Sequence, residues 1–198
     1  MQAQIEIVKT GTMDENCYFA VNPDTQELFI VDPGDDGQKI IQAVSQRKPV
    51  AVLLTHGHFD HIGAVDEVCS HFGIPVYIHE LDAEKLIDPV KNESGTMERQ
   101  VVVHTVPKTL VDKQELLLGG IRVQVVHTPG HSKGSCCYMV GEEQCVFTGD
   151  TLFLGGYGRT DFWDGSFKDL KQSLRMLLFL EPKRIAYPGH GDFTYAGR

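Results

Sequence analysis

The sequence predicts an α+β protein in which two β-sheets pack face to face with helices outside them. Short apolar runs of strand type recur in both halves of the chain, and each half has more of these runs than helical patterns. With 198 residues, 41% of them hydrophobic, the chain can build a full hydrophobic core without disulfide bonds or structural metal ions. Because no linker, exact repeat or low-complexity tract divides it, we expect a single domain over residues 1–198.

The first half of the chain alternates between strand and helix patterns. Apolar runs ending at turn residues predict strands over 5–8, 17–21, 28–31, 50–54 and 76–78. Apolar residues at helical spacing predict helices over 39–44, 64–69 and 81–86.

The second half of the chain also consists mainly of strand patterns. Its apolar runs predict strands over 115–118, 121–126, 136–140, 145–147 and 184–187. One amphipathic helix is predicted over 167–180. Its apolar side should consist of Leu170, Leu174, Leu177 and Leu178.

Charge and cysteine content restrict the class of protein. With 18 basic and 27 acidic residues the net charge is −9, which argues against nucleic-acid binding. The five cysteines are odd in number and form no C-x-x-C, so we expect buried thiols in a reducing compartment. Without a signal-peptide pattern or an apolar run near the roughly 18 residues of a membrane span, a cytoplasmic protein acting on a small molecule is expected.

The segment 55–61, with the sequence THGHFDH, is the most specific chemical signal in the chain. Its three histidines and one aspartate are all possible ligands for a transition metal. Imidazole and carboxylate together suit zinc, iron or manganese. Since the segment directly follows the strand pattern 50–54, the ligands are expected where a buried strand ends and a loop begins.

Three further segments place candidate ligands after strand patterns, beside glycines that permit sharp turns. They are HTPGH at 127–131, TGD at 148–150 and PGHG at 188–191. If these strand ends share one edge, seven ligands meet there, which is too many for one tetrahedral ion. Two ions that share one carboxylate would use all seven.

Together these segments resemble those of metallo-β-lactamase-fold hydrolases. Within that superfamily they resemble the glyoxalase II group (hydroxyacylglutathione hydrolases), in its short, single-domain bacterial type. THGHFDH, HTPGH, TGDTLF at 148–153 and PGHG occur in the family's order, preceded by VDPG at 31–34. The resemblance implies a four-layer αββα sandwich, the metallo-β-lactamase fold.

The resemblance also implies two groups of metal ligands and a bridge between them. The first group is His56, His58 and His131, the second is Asp60, His61 and His190, and the bridge is Asp150. The implied cofactors are two divalent ions, with zinc expected first and iron or manganese as alternatives. The implied nucleophile is a hydroxide held between the ions, since metal binding lowers the pKa of water from ~15.7 to ~7. Asp60, which also orients the nucleophile, and Asp150 are the expected catalytic residues.

The implied substrate is a thioester such as S-D-lactoylglutathione. In the loop 155–165, Arg159 and Trp163 correspond to the basic and aromatic residues that relatives offer to the thiol cofactor. Glyoxalase II enzymes usually continue into a helical glutathione-binding region, whereas this chain ends eight residues after His190. We therefore expect no such region here, and another thiol carrier stays open.

The remaining histidines and Asp32 lie outside the proposed ligand set. His127 is expected to be structural, and His71, His79 and His104 to be ordinary surface or loop residues. Asp32 is either a plain turn residue or a hydrogen-bonding support for the metal ligands.

Several other activities share this fold. A persulfide dioxygenase is one alternative, because such enzymes carry a similar Gly-Arg-Thr-Asp-Phe loop, found here at 158–162, and use one iron on His56, His131 and Asp150. A lactamase or lactone hydrolase is a second. A nuclease or a non-catalytic metal protein is less favoured, since there is no room for an extra domain and no ligand is missing.

Overall fold

Two mixed β-sheets packed face to face form the centre of the molecule. A computed structural model of the chain describes residues 2–141 and 145–197. The first sheet has the order β1-β2-β3-β4-β5-β6. Its strands are Gln4–Thr10, Glu15–Val21, Glu27–Val31, Lys48–Leu54, Val76–His79 and Lys108–Leu110. From β3 onward its neighbouring strands are parallel.

The second sheet has the order β12-β11-β10-β9-β8-β7. Its strands β7 to β12 are Glu115–Leu118, Ile121–His127, Cys136–Val140, Cys145–Gly149, Arg184–Pro188 and Thr194–Ala196. All pairs in it are antiparallel except β10 and β11.

In the part of the chain that the structure describes, four α-helices and one 3₁₀ helix accompany the two sheets. They are α1 (Gly37–Val44), α2 (Phe59–Ile62), α3 (Val65–Phe72), α4 (Phe167–Leu178) and a 3₁₀ helix over Glu80–Ile87. Helices α1 and α3 pack on the first sheet, and α4 packs on the second. Among the described residues, none of the helices is long and apolar enough to cross a lipid bilayer.

The period of two in each strand explains how the chain fills these layers. In β2, Tyr18 and Ala20 point between the sheets, where they meet Phe147 and other residues of the second sheet. Cys17 and Phe19 point the other way, into the core beneath α1 and α3. The α+β sandwich predicted from the sequence is therefore confirmed.

Some predicted boundaries were wrong. The helix expected over 81–86 is a 3₁₀ helix, and α4 ends at Leu178, whose side chain is exposed rather than part of the apolar face. Strands β6 and β12 were not predicted, because three-residue strands are too short to show an alternating pattern.

Candidate metal centre

The candidate ligands lie at one edge of the sandwich because the strands that precede them end there. The segment 55–61 follows β4 of the first sheet. In the second sheet, Asp150 directly follows β10, and His190 follows β11, which runs parallel to β10. His131 comes from the loop after β8. Carboxyl ends of parallel strands share an edge, so these side chains converge.

Local backbone geometry brings the loops close together. His58 is extended, and the single turn of α2 that follows it carries Asp60 and His61. Gly149 has a φ of +47°, and a Cβ at this position would lie 2.3 Å from Thr55 Oγ1. Only glycine therefore allows the end of β10 to approach the 55–61 loop.

Two groups of donor atoms form at this edge. His56, His58 and His131 are one group, and Asp60, His61 and His190 are the other; the donor atoms within each lie within 4.8 Å of one another. In the first, His58 Nδ1 is 3.0 Å from His131 Nε2. In the second, Asp60 Oδ2 is 3.1 Å from His190 Nε2 and 3.7 Å from His61 Nε2.

Asp150 lies between the two groups. Its Oδ1 is 3.4 Å from His61 Nε2, while its Oδ2 is 3.5 Å from His131 Nε2 and 3.8 Å from His190 Nε2. One carboxylate thus faces ligands from both groups.

The donor atoms fit divalent metal ions. His56 Nε2, His61 Nε2 and Asp150 Oδ1 are buried and have no hydrogen-bond partner. Buried polar atoms without partners cost folding free energy, and their clustering here indicates a binding site for a cation. Imidazole nitrogens with carboxylate oxygens are the donors that zinc, iron and manganese accept.

Outer partners orient the histidine rings. His61 Nδ1 is 3.0 Å from Asp32 Oδ2, and His131 Nδ1 is 2.8 Å from the Arg159 carbonyl. Each contact places the ring proton on Nδ1 and leaves Nε2 free to face the centre. Asp32 also accepts hydrogen bonds from the Thr55 amide and hydroxyl. Its oxygens are therefore occupied, and although it forms a third group with His56 and His61, it supports the ligands rather than joining them.

The electrostatics of the site suit cation binding. Burial lowers the pKa of His56 and His58, so both rings stay neutral. Burial would raise the pKa of Asp60 and Asp150, but the charge of His61 together with the charges and hydrogen bonds of the neighbouring histidines holds both pKa values below the usual range. Conversely, burial would lower the pKa of His61, but Asp60 and Asp150 raise it well above its ordinary value. A proton on His61 thus takes the place of a cation, and metal binding would displace it.

Asp82 is a supporting residue that sequence analysis missed. It is fully buried, and its Oδ2 accepts hydrogen bonds from the Gly57 amide at 2.9 Å and the Ser132 hydroxyl at 2.7 Å. Its Oδ1 accepts from the Gly134 amide at 2.7 Å. Asp82 therefore joins the two loops that carry the first group of ligands. Because both loops are distant from Asp82 in sequence, no local pattern could predict this role.

Lys85, also missed, is a buried cation behind this group. Its Nζ lies 2.9 Å from an Asp164 oxygen, 3.4 Å from His58 Nε2 and 5.0 Å from the centre of the Trp163 ring. Lys85 thus connects the 3₁₀ helix to the loop that contains the candidate substrate residues.

The two candidate substrate residues lie beside the first ligand group. Arg159 is exposed, and its guanidinium makes two hydrogen bonds of 2.6 Å to Asp161. Trp163 is half exposed, with its Nε1 donating to the Lys91 carbonyl. Between them, the Phe162 ring centre lies 4.5 Å from that of His58.

The histidines outside the motifs have other positions. His127 contacts the Lys133 carbonyl and stacks on His79, with ring centres 4.3 Å apart. His79 was expected to be a surface or loop residue, but it ends β5 and is 3% exposed, because its ring packs on His127 at the end of β8. His71 and His104 are exposed, as expected.

A family model for the metallo-beta-lactamase superfamily matches residues 10–190. The chain belongs to this superfamily. Several of its relatives are named as hydrolases. A probable metallo-hydrolase, YqgX of Bacillus subtilis, is 39% identical over 93% of this chain and 88% of its own length. Hydroxyacylglutathione hydrolase GloC of Haemophilus influenzae is 32% identical over 98% of this chain and 93% of its own length.

Solved structures from the superfamily agree with this fold. The BLEG-1 B3 metallo-beta-lactamase superposes with a TM-score of 0.91 at 38% identity, covering 97% of this chain and 94% of its own. TTHA1623, solved in a di-iron-bound form, has a TM-score of 0.81 at 34% identity, covering 96% and 93%. ETHE1 from Myxococcus xanthus has a TM-score of 0.76 at 26% identity, covering 97% and 79%.

Proposed function

We propose that this chain is a binuclear metal-dependent hydrolase that cleaves thioesters such as S-D-lactoylglutathione. The observation that carries the proposal is the pair of donor groups with the Asp150 carboxylate between them. Similarity to the hydroxyacylglutathione hydrolase GloC over nearly the full length of both chains supports the choice of substrate.

In this proposal each donor group would hold one ion, and Asp150 would serve both groups. His56, His58 and His131 would hold one ion, and Asp60, His61 and His190 would hold the other. When bound, such ions supply a water-derived nucleophile at neutral pH and polarise the substrate carbonyl. We propose zinc, while the di-iron form of TTHA1623 supports iron as the alternative.

The chain's own side chains orient the reactants. The ionised Asp60, 3.1 Å from His190 Nε2, is held where it can accept a hydrogen bond from the attacking water and so orient it. Water adds to the thioester carbonyl and the carbon–sulfur bond breaks, giving a carboxylic acid and a thiol. Since thiolate is a good leaving group, no strong acid is required from the protein.

The thiol carrier is proposed to lie along Arg159, Phe162 and Trp163. These residues border a depression that also contains Lys91, Glu93 and Asp161. Its two cations and two aromatic rings are available to a carrier such as glutathione, beside two carboxylates. Because Arg159 is paired with Asp161, a substrate carboxylate would have to replace that partner.

A lactamase is a second candidate, supported by the likeness to the BLEG-1 B3 metallo-beta-lactamase. A persulfide dioxygenase with one iron on His56, His131 and Asp150 is a third. Its support is the Gly158–Phe162 segment, which places Phe162 against His58, and the overall likeness to ETHE1.

The test is hydrolysis of S-D-lactoylglutathione by the metal-loaded protein, followed by loss of thioester absorbance. We expect turnover that a chelator abolishes, that Asp150→Ala lacks and that Asp24→Ala, which changes an exposed turn aspartate, retains. Absence of turnover in the metal-loaded protein would refute the proposal. Hydrolysis of a β-lactam, or oxygen uptake with a persulfide, would then identify the other candidates.

We also propose that residues 1–198 form one domain that works in the cytoplasm on a small molecule, without nucleic-acid or membrane partners. In support, both sheets share one continuous core. The five cysteines are all buried and free, which fits a reducing compartment.

A further inference from the structure

A cavity of about 160 Å³ adjoins the second ligand group and has none of the roles described so far. It lies beneath the turn that joins β1 to β2 and is bordered by Asp60. Met13, in that turn, forms part of its wall, and the Met13 carbonyl is 3.3 Å from His190 Nδ1. The cavity therefore borders Asp60 directly and lies near His190 through the Met13 turn.

The side chains that line the cavity make it suitable for an apolar group. Met13, Phe59, Met97 and Val101 contribute apolar surface, and the two methionines are 53% and 42% exposed. The exposure places these methionines at the mouth, where their flexible thioethers can adapt to a ligand.

The charged residues that border the cavity already have polar partners. Asp35 and Arg99 face each other at 4.0 Å. Glu15 is buried, with Oε2 accepting a hydrogen bond from the Thr10 hydroxyl and Oε1 directed toward His61 Nδ1 at 3.8 Å. Within the described ranges, three carboxyl groups border the cavity against one guanidinium, so a neutral acyl tail fits better than an anionic one.

The cavity and the proposed carrier site lie beside different ligand groups of the metal centre. Phe162, on the carrier side, contacts His58 and His131 of the first ligand group. The cavity borders Asp60 of the second group. A thioester whose carbonyl lies over the centre would therefore extend its thiol carrier to one side and its acyl group into the cavity.

We propose that this cavity is the acyl subsite and that the enzyme prefers thioesters of neutral, apolar acyl groups of up to about six carbons. An apolar cavity of about 150 Å³ is large enough to hold benzene, which sets the size limit. Each buried methylene increases transition-state binding roughly fourfold, so lactoyl uses only part of the site. This inference rests on the proposed thioester hydrolysis.

The experiment compares acetyl-, butanoyl-, hexanoyl- and decanoylglutathione as substrates of the metal-loaded protein. We expect kcat/KM to rise at least tenfold from acetyl to hexanoyl, since even partial burial of four methylenes gives this factor. No further rise is expected for decanoyl, because the longer chain projects into solvent.

Two substitutions fill the cavity from different walls, and one serves as a control. Met97→Trp is expected to reduce the hexanoyl-to-acetyl ratio of kcat/KM to about one-tenth or less of its wild-type value, and Met13→Trp repeats the test if Met97→Trp does not fold. Met176→Trp is the matched control, because Met176 on α4 is 41% exposed, almost as much as Met97. It should keep the wild-type ratio.

Two results would overturn the subsite while leaving thioester hydrolysis in place. One is equal kcat/KM for all chain lengths, and the other is a preference for hexanoyl that survives in both cavity-filling variants. If no thioester is hydrolysed, the proposed function fails, and calorimetric binding of hexanamide against acetamide then decides. Tighter binding of hexanamide that Met97→Trp abolishes would support the cavity as an apolar subsite, whereas equal binding would refute it.

Discussion

Replacement of Asp32 by asparagine tests how the buried support of His61 controls metal binding. Asp32 is 2% exposed, and donors surround its carboxylate: the Thr55 amide at 2.7 Å, the Thr55 hydroxyl at 2.6 Å and His61 Nδ1 at 3.0 Å. Asparagine keeps the shape but replaces one acceptor oxygen by an NH₂ donor. With its oxygen toward the Thr55 amide, the new NH₂ group faces His61 Nδ1.

This geometry sets the size of the expected losses in metal affinity and in folding free energy. His61 must either lose its partner or move its ring proton to Nε2, the atom that faces Asp60 and Asp150. Loss of such a partner lowers metal affinity by roughly 10–100-fold, or about 1.4–2.7 kcal/mol. The unpaired buried donor costs about 1–3 kcal/mol of folding free energy in addition.

The assay is titration of the metal-free protein with Zn²⁺ by calorimetry. In Asp32→Asn we expect one ion to bind at least tenfold more weakly while the other is little changed. Asp66→Asn is the matched control, because Asp66 also accepts backbone hydrogen bonds, from His104 and Thr105 on the outer face of the molecule. Wild-type affinity for both ions in Asp32→Asn, or equal weakening in the control, would refute the reasoning.

Three further predictions concern the bridge, the carrier site and pH. Asp150→Ala should bind fewer than two ions per chain, because the carboxylate faces both groups; elemental analysis that finds two would contradict a shared position. Arg159→Ala should raise KM for lactoylglutathione several-fold with little change in kcat, and Asp161→Ala, which frees the guanidinium, should lower KM; unchanged KM in both would make the pair structural. Burial and the charge of His127 lower the pKa of His79 from 6.5 to about 4. The unfolded chain therefore binds this proton more tightly, and stability present above pH 6.5 is lost as pH falls toward 4. When the pH falls from about 7.5 to about 5, the free energy of unfolding of His79→Gln, measured with urea, should decrease by about 2 kcal/mol less than that of the wild type. Identical decreases would refute this.

Local patterns were sufficient for the fold class and for the candidate ligands. Strand and helix periodicities depend on neighbouring residues, so most elements of both sheets could be predicted from short segments. Four donors lie within the segment 55–61, and Asp150 and His190 directly follow recognisable strands. The structure brings these groups together because the strands before them end at one edge.

The supporting and substrate-facing features required the tertiary structure. Asp32 reaches His61 from 29 residues away, and Asp82 bonds to Gly57 and Gly134 across separations of 25 and 52 residues. The cavity beside Asp60 likewise combines the β1–β2 turn with the distant segment 97–101. The chain by itself determined which donor atoms and strand patterns are present. Packing decided which charges are buried, which hydrogen bonds orient the ligands and where space for a substrate remains, because burial and contact depend on residues that no single segment contains.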